Sequence, residues 1–398
     1  MKQALDGIII ADFTQMMQGP WATQKLADMG ADVIKIERIG GEWERFLEAG
    51  GELYRGWSPY FLAMNRNKRS VTLDLKHEHG RRVALDIIAE ADVLVENFRP
   101  GVMGKLGLGY DDVREVNEEI VYVSGSGFGS DGPYVDRPGQ DLLLQAMSGL
   151  ARYTGSADDH PTPTGTAIVD EHSATLIALN TMFALFHRER TGEGQKVEAN
   201  LLNAALDLQC QEITAVLNMD REFERSEEGI GQAWLDAPYG IYETDDGYVA
   251  IAMTPIDTLA EVLGIRELER YDGPKAAYEY RDEIKRTLEA YTRNHRTDDL
   301  LDRLLEADIW AAAVNDFEDV AADPQVEHNE MLVEIDHPDI GTFVTTGFPV
   351  EMSETPGRIN APPPKTGEHT DEILAELGYD ETRRRQLADT GVTATDDD

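Results

Sequence analysis

The chain of 398 residues holds a single cysteine, Cys210. No disulfide can close within it, so a reducing, cytoplasmic setting is the expectation. Apolar residues never run unbroken for the roughly 18 positions a membrane span requires. The opening MKQALDGIII has one lysine, a short apolar patch and no small-residue cleavage site, which speaks against a secretory leader. Lysine is scarce: 10 Lys stand beside 26 Arg, and the 36 basic residues face 76 acidic ones for a net charge of −40. That sign argues against nucleic acid as a partner, because a phosphate backbone demands the opposite one. An acidic, lysine-poor surface suits concentrated salt, where screening shortens to about 3 Å at molar strength.

Nucleotide and hydrolase motifs are missing too. The loop after the first apolar strand reads TQMMQGP, with one glycine, so neither a dinucleotide fingerprint nor a Walker loop is present. No serine stands in a G-x-S-x-G strand-to-helix elbow. His77 and His79 lie in a polar segment that reads as a solvated helix start, His172 faces no evident ligand set, and no metal is expected.

With 41% apolar residues the chain can nonetheless bury a sizeable core. GIIIADF (7–13) is a continuous apolar strand; a helix follows with Pro20 in its first turn and Gly30 at its stop, then the strand DVIKIE (32–37). EHGRRVALDIIAEA reads as a helix, DVLVENF (92–98) as a strand, and NEEIVYVSGSGFG (117–129) as a strand ending in a glycine-rich turn. Strands alternating with helices predict an α/β, Rossmann-like domain around a mostly parallel sheet. From about 225 the pattern changes to the hairpin GIYET–DDG–YVAIAM and a charged helical stretch over 257–308. The expected division is a large domain over 1–215, completed by 320–398, and a small α+β domain over 225–310. GTFVTTGFPVEM (341–352) is a late extended segment, APPPKTGEHTDEILAELGY a proline-led entry to a short helix, and VTATDDD a solvated tail.

Charge is unevenly placed. Residues 1–100 carry 13 basic and 15 acidic side chains, so nearly the whole negative excess lies beyond them. A region spared from acidity is one that could hold an anion.

One carboxylate stands out. Asp170 and Glu171 open an apolar helical run, AIVDEHSATLIALNTMFALF, whose far end carries Arg188, Arg190 and the stop Gly192. Asp170 could cap a helix beginning at Glu171. It could equally be a nucleophile held on a buried, rigid post, kept ionised by the helix N-terminus, its pKa lowered. The residues alone leave both readings open.

The chain resembles the class III CoA-transferases, the CaiB/BaiF family, almost end to end. The similar stretches are ADFTQMMQGP, LADMGADVIKIER, NRNKRSVTLDLK, ADVLVENFRPG, LGLGY, GSGFGSDGP, DLLLQAMSGL, AIVDEHSA, RTGEGQKVEANLL and GEHTDEILAELG. The resemblance implies an interlocked homodimer, each chain a ring threaded through the other. It implies that Asp170 attacks an acyl-CoA thioester to form an anhydride, then carries CoA as an aspartyl thioester. It implies CoA contacts at Arg38, Leu73, Lys76, Asn97, Phe98 and Lys105, and substrate contacts at Met17, Gln18 and Gln140. Gly229 and Gly231 loosely match the family's mobile glycine loop. Coenzyme A enters as substrate, with no tightly bound cofactor.

Related racemases pair the aspartate with a histidine in a G-H-D context. Here the triplet is Gly139-Gln140-Asp141, and glutamine exchanges no proton at neutral pH. Formyl-CoA transferases tend to carry tyrosine at the position of Gln140 and glutamine at that of Met17, so the departures count against oxalate. The expected pair is dicarboxylic, succinyl-CoA giving to mesaconate or a related acid, as salt-loving archaea with this family use such acids. Arg45 and Arg152 are candidates for a distal carboxylate. The alternatives are an α-methylacyl-CoA racemase or epimerase and a non-catalytic acyl-CoA-binding protein.

Overall fold

The structure, a computed structural model, describes residues 2–394. Its large unit takes in 1–144, 167–208 and 325–398. Six strands form one sheet: β1 (Ile9–Asp12), β2 (Asp32–Glu37), β3 (Lys68–Thr72), β4 (Val93–Glu96), β5 (Val121–Ser126) and β6 (Lys196–Asn200). Their order is β3-β2-β1-β4-β5-β6, and every neighbouring pair is parallel. The fold is thus α/β with a parallel sheet, as the alternation predicts. β3 (KRSVT) and β6 (KVEAN) escape a reading based on apolar runs.

Side chains alternate across the pleat. Ile10, Val33, Val93, Val95, Val121 and Val123 point to one core, where they meet α1 (Gln18–Asp28) through Ala22 and Leu26. Ala11, Ile34, Ile36, Val71, Leu94 and Tyr122 point to the other, against α2 (Glu78–Glu90) through Val83, Ile87 and Ile88. Ile373 and Leu374, on the helix Thr370–Glu376, join that second core. So does Val392, fully buried, whose carbonyl accepts from Asp74 N at 2.8 Å. The expected solvated tail is therefore packed over 392–394, and 395–398 lie outside the described residues.

Three further helices begin on the strand-end rim of this unit. They are α3 (Asp141–Met147), α4 (Ile168–Thr191) and α5 (Leu201–Asp207). α4 starts three residues before Glu171 and ends on Gly192, whose φ of +75° is costly for any residue with a Cβ. Its sequence suggests burial on every side, but only one face is buried. Ala174, Ile177, Ala184 and Leu185 reach the core, while Leu179, Phe183 and Phe186, one, two and three turns along the other face, stay exposed. A hairpin of β10 (Leu332–His337) and β11 (Gly341–Thr346) completes this unit.

The second unit takes in 145–166 and 209–324. Its antiparallel sheet is β7 (Gly240–Glu243), β8 (Tyr248–Ile251) and β9 (Ala311–Ala313), in that order. Leu259, Leu268, Leu288, Leu300 and Leu304 pack with Tyr242 and Val249 in its core.

Candidate active site

Parallel sheets bind ligands outside the carboxyl ends of their strands, where the winding direction reverses. Here that point lies between β1 and β4. Asn97, just past β4, clips the backbone of Gln15, just past β1. Its Oδ1 accepts from Gln15 N at 2.9 Å and its Nδ2 donates to Gln15 O at 2.8 Å. Beneath this loop runs a layer of buried charge. Lys68 Nζ reaches Asp12 Oδ2 at 3.1 Å, and Lys35 Nζ reaches Glu42 at 2.6 Å and Thr14 O at 2.9 Å. Glu42 in turn accepts from Met16 N at 3.0 Å. Charges withdrawn from water persist only when paired, so together these groups fix residues 14–16 just ahead of Met17 and Gln18.

The expected CoA contacts gather along the same rim. Arg38 follows β2, Lys76 follows β3, and Lys105 sits in the helical turn Val102–Lys105 after β4; all three are exposed. Arg38 Nε donates to Gly41 O at 2.7 Å. Phe98 is half-buried and packs on the core edge. Leu73 is fully buried in the core, so its side chain faces away from any ligand on the rim. Arg45 is committed elsewhere. It grips Glu37 with two bonds of 2.7 and 2.6 Å and lies 3.8 Å over the Phe61 ring, so the expected role on a distal carboxylate does not survive. Gly229, Gly231 and the exposed Arg152 belong to the second unit. Gly231 is no free hinge: its N–H donates to Tyr239 O at 2.8 Å, beside the bridge of Ile230 to Gly240.

Asp170 lies in the first turn of α4, on this rim. α1 and α4 are joined there by Gln18, whose buried Nε2 donates to Ser173 Oγ at 2.7 Å. The helix is not capped by Asp170. Ala167 occupies the cap position without a side-chain bond, and the amides of Val169 and Asp170 donate to Asp141 Oδ1 at 2.7 and 3.2 Å. Among the described residues no donor or cation pairs with the Asp170 carboxylate. The expected fall in its pKa is reversed. Burial, and then the charge of Asp141, push Asp170 up to about 7. The amides of Val169 and Asp170, which could otherwise stabilise its charge, are already bound to Asp141.

Gln140 is exposed and leads directly into α3 and Asp141. Its position is set by a close approach of two backbones. A Cβ on Gly139 would lie 2.3 Å from Gly127 Cα, so nothing larger than glycine fits. His172 Nε2 meets Asp207 Oδ2 at 2.8 Å, on α5. His77 caps α2 through His79 N, and no group of three or more potential metal-binding side chains occurs among the described residues. Sequence reasoning missed the parts played by Asp141, Ser173 and the charge layer. The one signal for Asp141 was a carboxylate opening the apolar run DLLLQAM.

Known proteins resemble this chain along nearly its whole length. The model of CoA-transferase family III matches residues 5–370. The succinyl-CoA:mesaconate CoA-transferase of Haloarcula hispanica is 35% identical over 94% of this chain and 96% of its own. The succinate–glutarate CoA-transferase of Agrobacterium fabrum is 34% identical, with the same coverage of each. The crystal structure of a CaiB/BaiF family protein from Brucella suis superposes with a TM-score of 0.84 at 32% identity, covering 95% of this chain and all of that one. A parallel sheet with a carboxylate on its rim, matched along its length to these relatives, makes this chain a member of CoA-transferase family III.

Proposed function

We propose that the protein moves CoA between two dicarboxylic acids with Asp170 as nucleophile, and that succinyl-CoA and mesaconate are the pair. The observation that carries this reading is the Asp170 carboxylate, placed on the strand-end rim with no donor bound to it. A carboxylate oxygen attacks the thioester carbonyl, the C–S bond breaks, and CoA leaves as thiolate. The thiolate attacks the aspartyl carbonyl of the anhydride and the donor acid departs as carboxylate. The acceptor carboxylate then attacks the aspartyl carbonyl of the thioester and expels the thiolate, and that thiolate attacks the acceptor carbonyl of the new anhydride, forming the product acyl-CoA and releasing the Asp170 carboxylate. No proton is needed once Asp170 is ionised, so no general base is required. The anhydride must be kept from water.

Arg38, Lys76 and Lys105 supply cations for CoA phosphates, and Phe98 an aromatic surface for adenine. Met17, Gln18 and Gln140 flank the acyl group. Gln18 serves by its carbonyl, since its amide is bound to Ser173. Gln140 speaks against racemisation, which needs a second base. The choice of acids rests on the Haloarcula relative and on the acidic, salt-suited composition. The exposed apolar side of α4, with Leu179, Phe183 and Phe186, supports a homodimer.

A donor–acceptor matrix in high salt tests this, with several acyl-CoAs offered against several acids and the products read by mass. Succinyl-CoA with mesaconate should give the fastest exchange, and Asp170→Asn should abolish it. Exchange that survives Asp170→Asn sinks the proposal; another best pair corrects the substrate alone.

A further inference from the structure

The cap of α4 comes from an unusual place. A helix starting in a loop ordinarily takes its cap from the residue before its first turn. Alanine stands there, and the oxygen that fills the position belongs to Asp141, 28 and 29 residues before the amides it accepts from. Asp141 is buried, and it enters only because Gly127 and Gly139 let two backbones touch. An anion is thus built permanently into the mouth of a helix that could otherwise bind one.

We infer that Asp141 is a positioning residue for CoA transfer: it takes the amides at the mouth of α4 and sets a second negative charge beside Asp170, so that the Asp170 carboxyl has no donor of its own. The inference rests on the reading of Asp170 as the nucleophile. Without Asp141, Asp170 could fold back on the freed amides of its own helix. Its lone pairs would then be engaged and its basicity lowered. With Asp141 present, the two carboxylates repel. Acylation of Asp170 removes one of the charges, so the repulsion is relieved as the new O–C bond forms.

The surroundings leave Asp141 as the controlling charge. On the same helix, the charge of Glu171 acts on Lys25 of α1, and His172 pairs with Asp207 of α5. α1 itself presents the neutral Gln18, which is bound to Ser173.

The test uses the full chain with an acyl-CoA and acceptor that it turns over. It compares Asp141→Asn, Asp141→Ala and Asp170→Asn by kcat, KM for acyl-CoA, and the pH profile of kcat. Asparagine keeps the Oδ1 acceptor and removes the charge. Asp141→Asn should hold KM within about threefold, while the acidic limb of the profile moves down by about one pH unit or more. The plateau rate should fall about tenfold, as a less basic nucleophile requires. Asp141→Ala should lose more, since it frees the amides as well. An acidic limb in Asp141→Asn that coincides with the unmutated one, while Asp170→Asn is dead, overturns the inference. An active Asp170→Asn overturns the nucleophile reading instead. Should Asp141→Asn fail to fold, carbon-13 titration of the unmutated protein decides, with Asp170→Asn identifying the signal. A midpoint near neutrality supports the inference, and one in the ordinary carboxylate range overturns it.

Discussion

Gln18 and Ser173, 155 residues apart in the chain, meet through one buried bond of 2.7 Å. That bond ties the first turn of α1 to α4 one turn past Asp170. Replacing Ser173 by alanine leaves the Gln18 amide buried without that partner, at a cost of about 1–3 kcal/mol. Thermal unfolding of Ser173→Ala should show the loss, and turnover should fall with it because α4 loses its fixed relation to α1. An unchanged melting temperature together with unchanged turnover would mean the bond holds nothing.

Asp170 has a stability consequence of definite sign. Its pKa is raised from 3.8 to about 7, so the folded state binds a proton that the unfolded state has released between those values. The associated stability is therefore fully present below about pH 4 and is lost as pH rises through about 7. Asp170→Asn removes this titration. The variant should melt above the unmutated protein at pH 8, by up to a few kcal/mol in stability, with the gap closing toward pH 4. A gap independent of pH would show that Asp170 titrates normally.

Arg45 and Glu37 form a buried pair in which burial would raise the Glu37 carboxyl, but the guanidinium wins and holds it down at about 2. Arg45→Met leaves that charge without its principal partner and should cost about 3–5 kcal/mol. Denaturant unfolding measures it. KM for the dicarboxylate should stay within about threefold, since the guanidinium is committed to Glu37 and the Pro364 carbonyl. A large rise in KM with intact stability would return Arg45 to the substrate.

Net charge of −40 sets the response to salt. Raising KCl from 0.1 to 1 M shortens the screening length from about 10 to about 3 Å and should raise the melting temperature. A flat or falling curve in calorimetry would remove the argument for salt adaptation.

The strands β1, β2, β4 and β5 were legible because unbroken apolar residues leave few alternatives to a strand buried on both faces. β3 and β6 were not. Each begins with a lysine, and Lys68 can be an interior residue because Asp12, Asn65 and the Pro20 carbonyl surround its ammonium. The burial of Val392 was hidden for the same kind of reason, since its carbonyl pairs with Asp74, far back in the chain.

The sequence by itself determined the α/β class, the family and the candidacy of Asp170, because those follow from local apolar pattern and from ordered motifs. Only the tertiary structure decided the surroundings of Asp170. Its protonation depends first on burial and then on a carboxylate from α3, brought to the mouth of α4 by two touching glycine backbones, and neither acts along the chain.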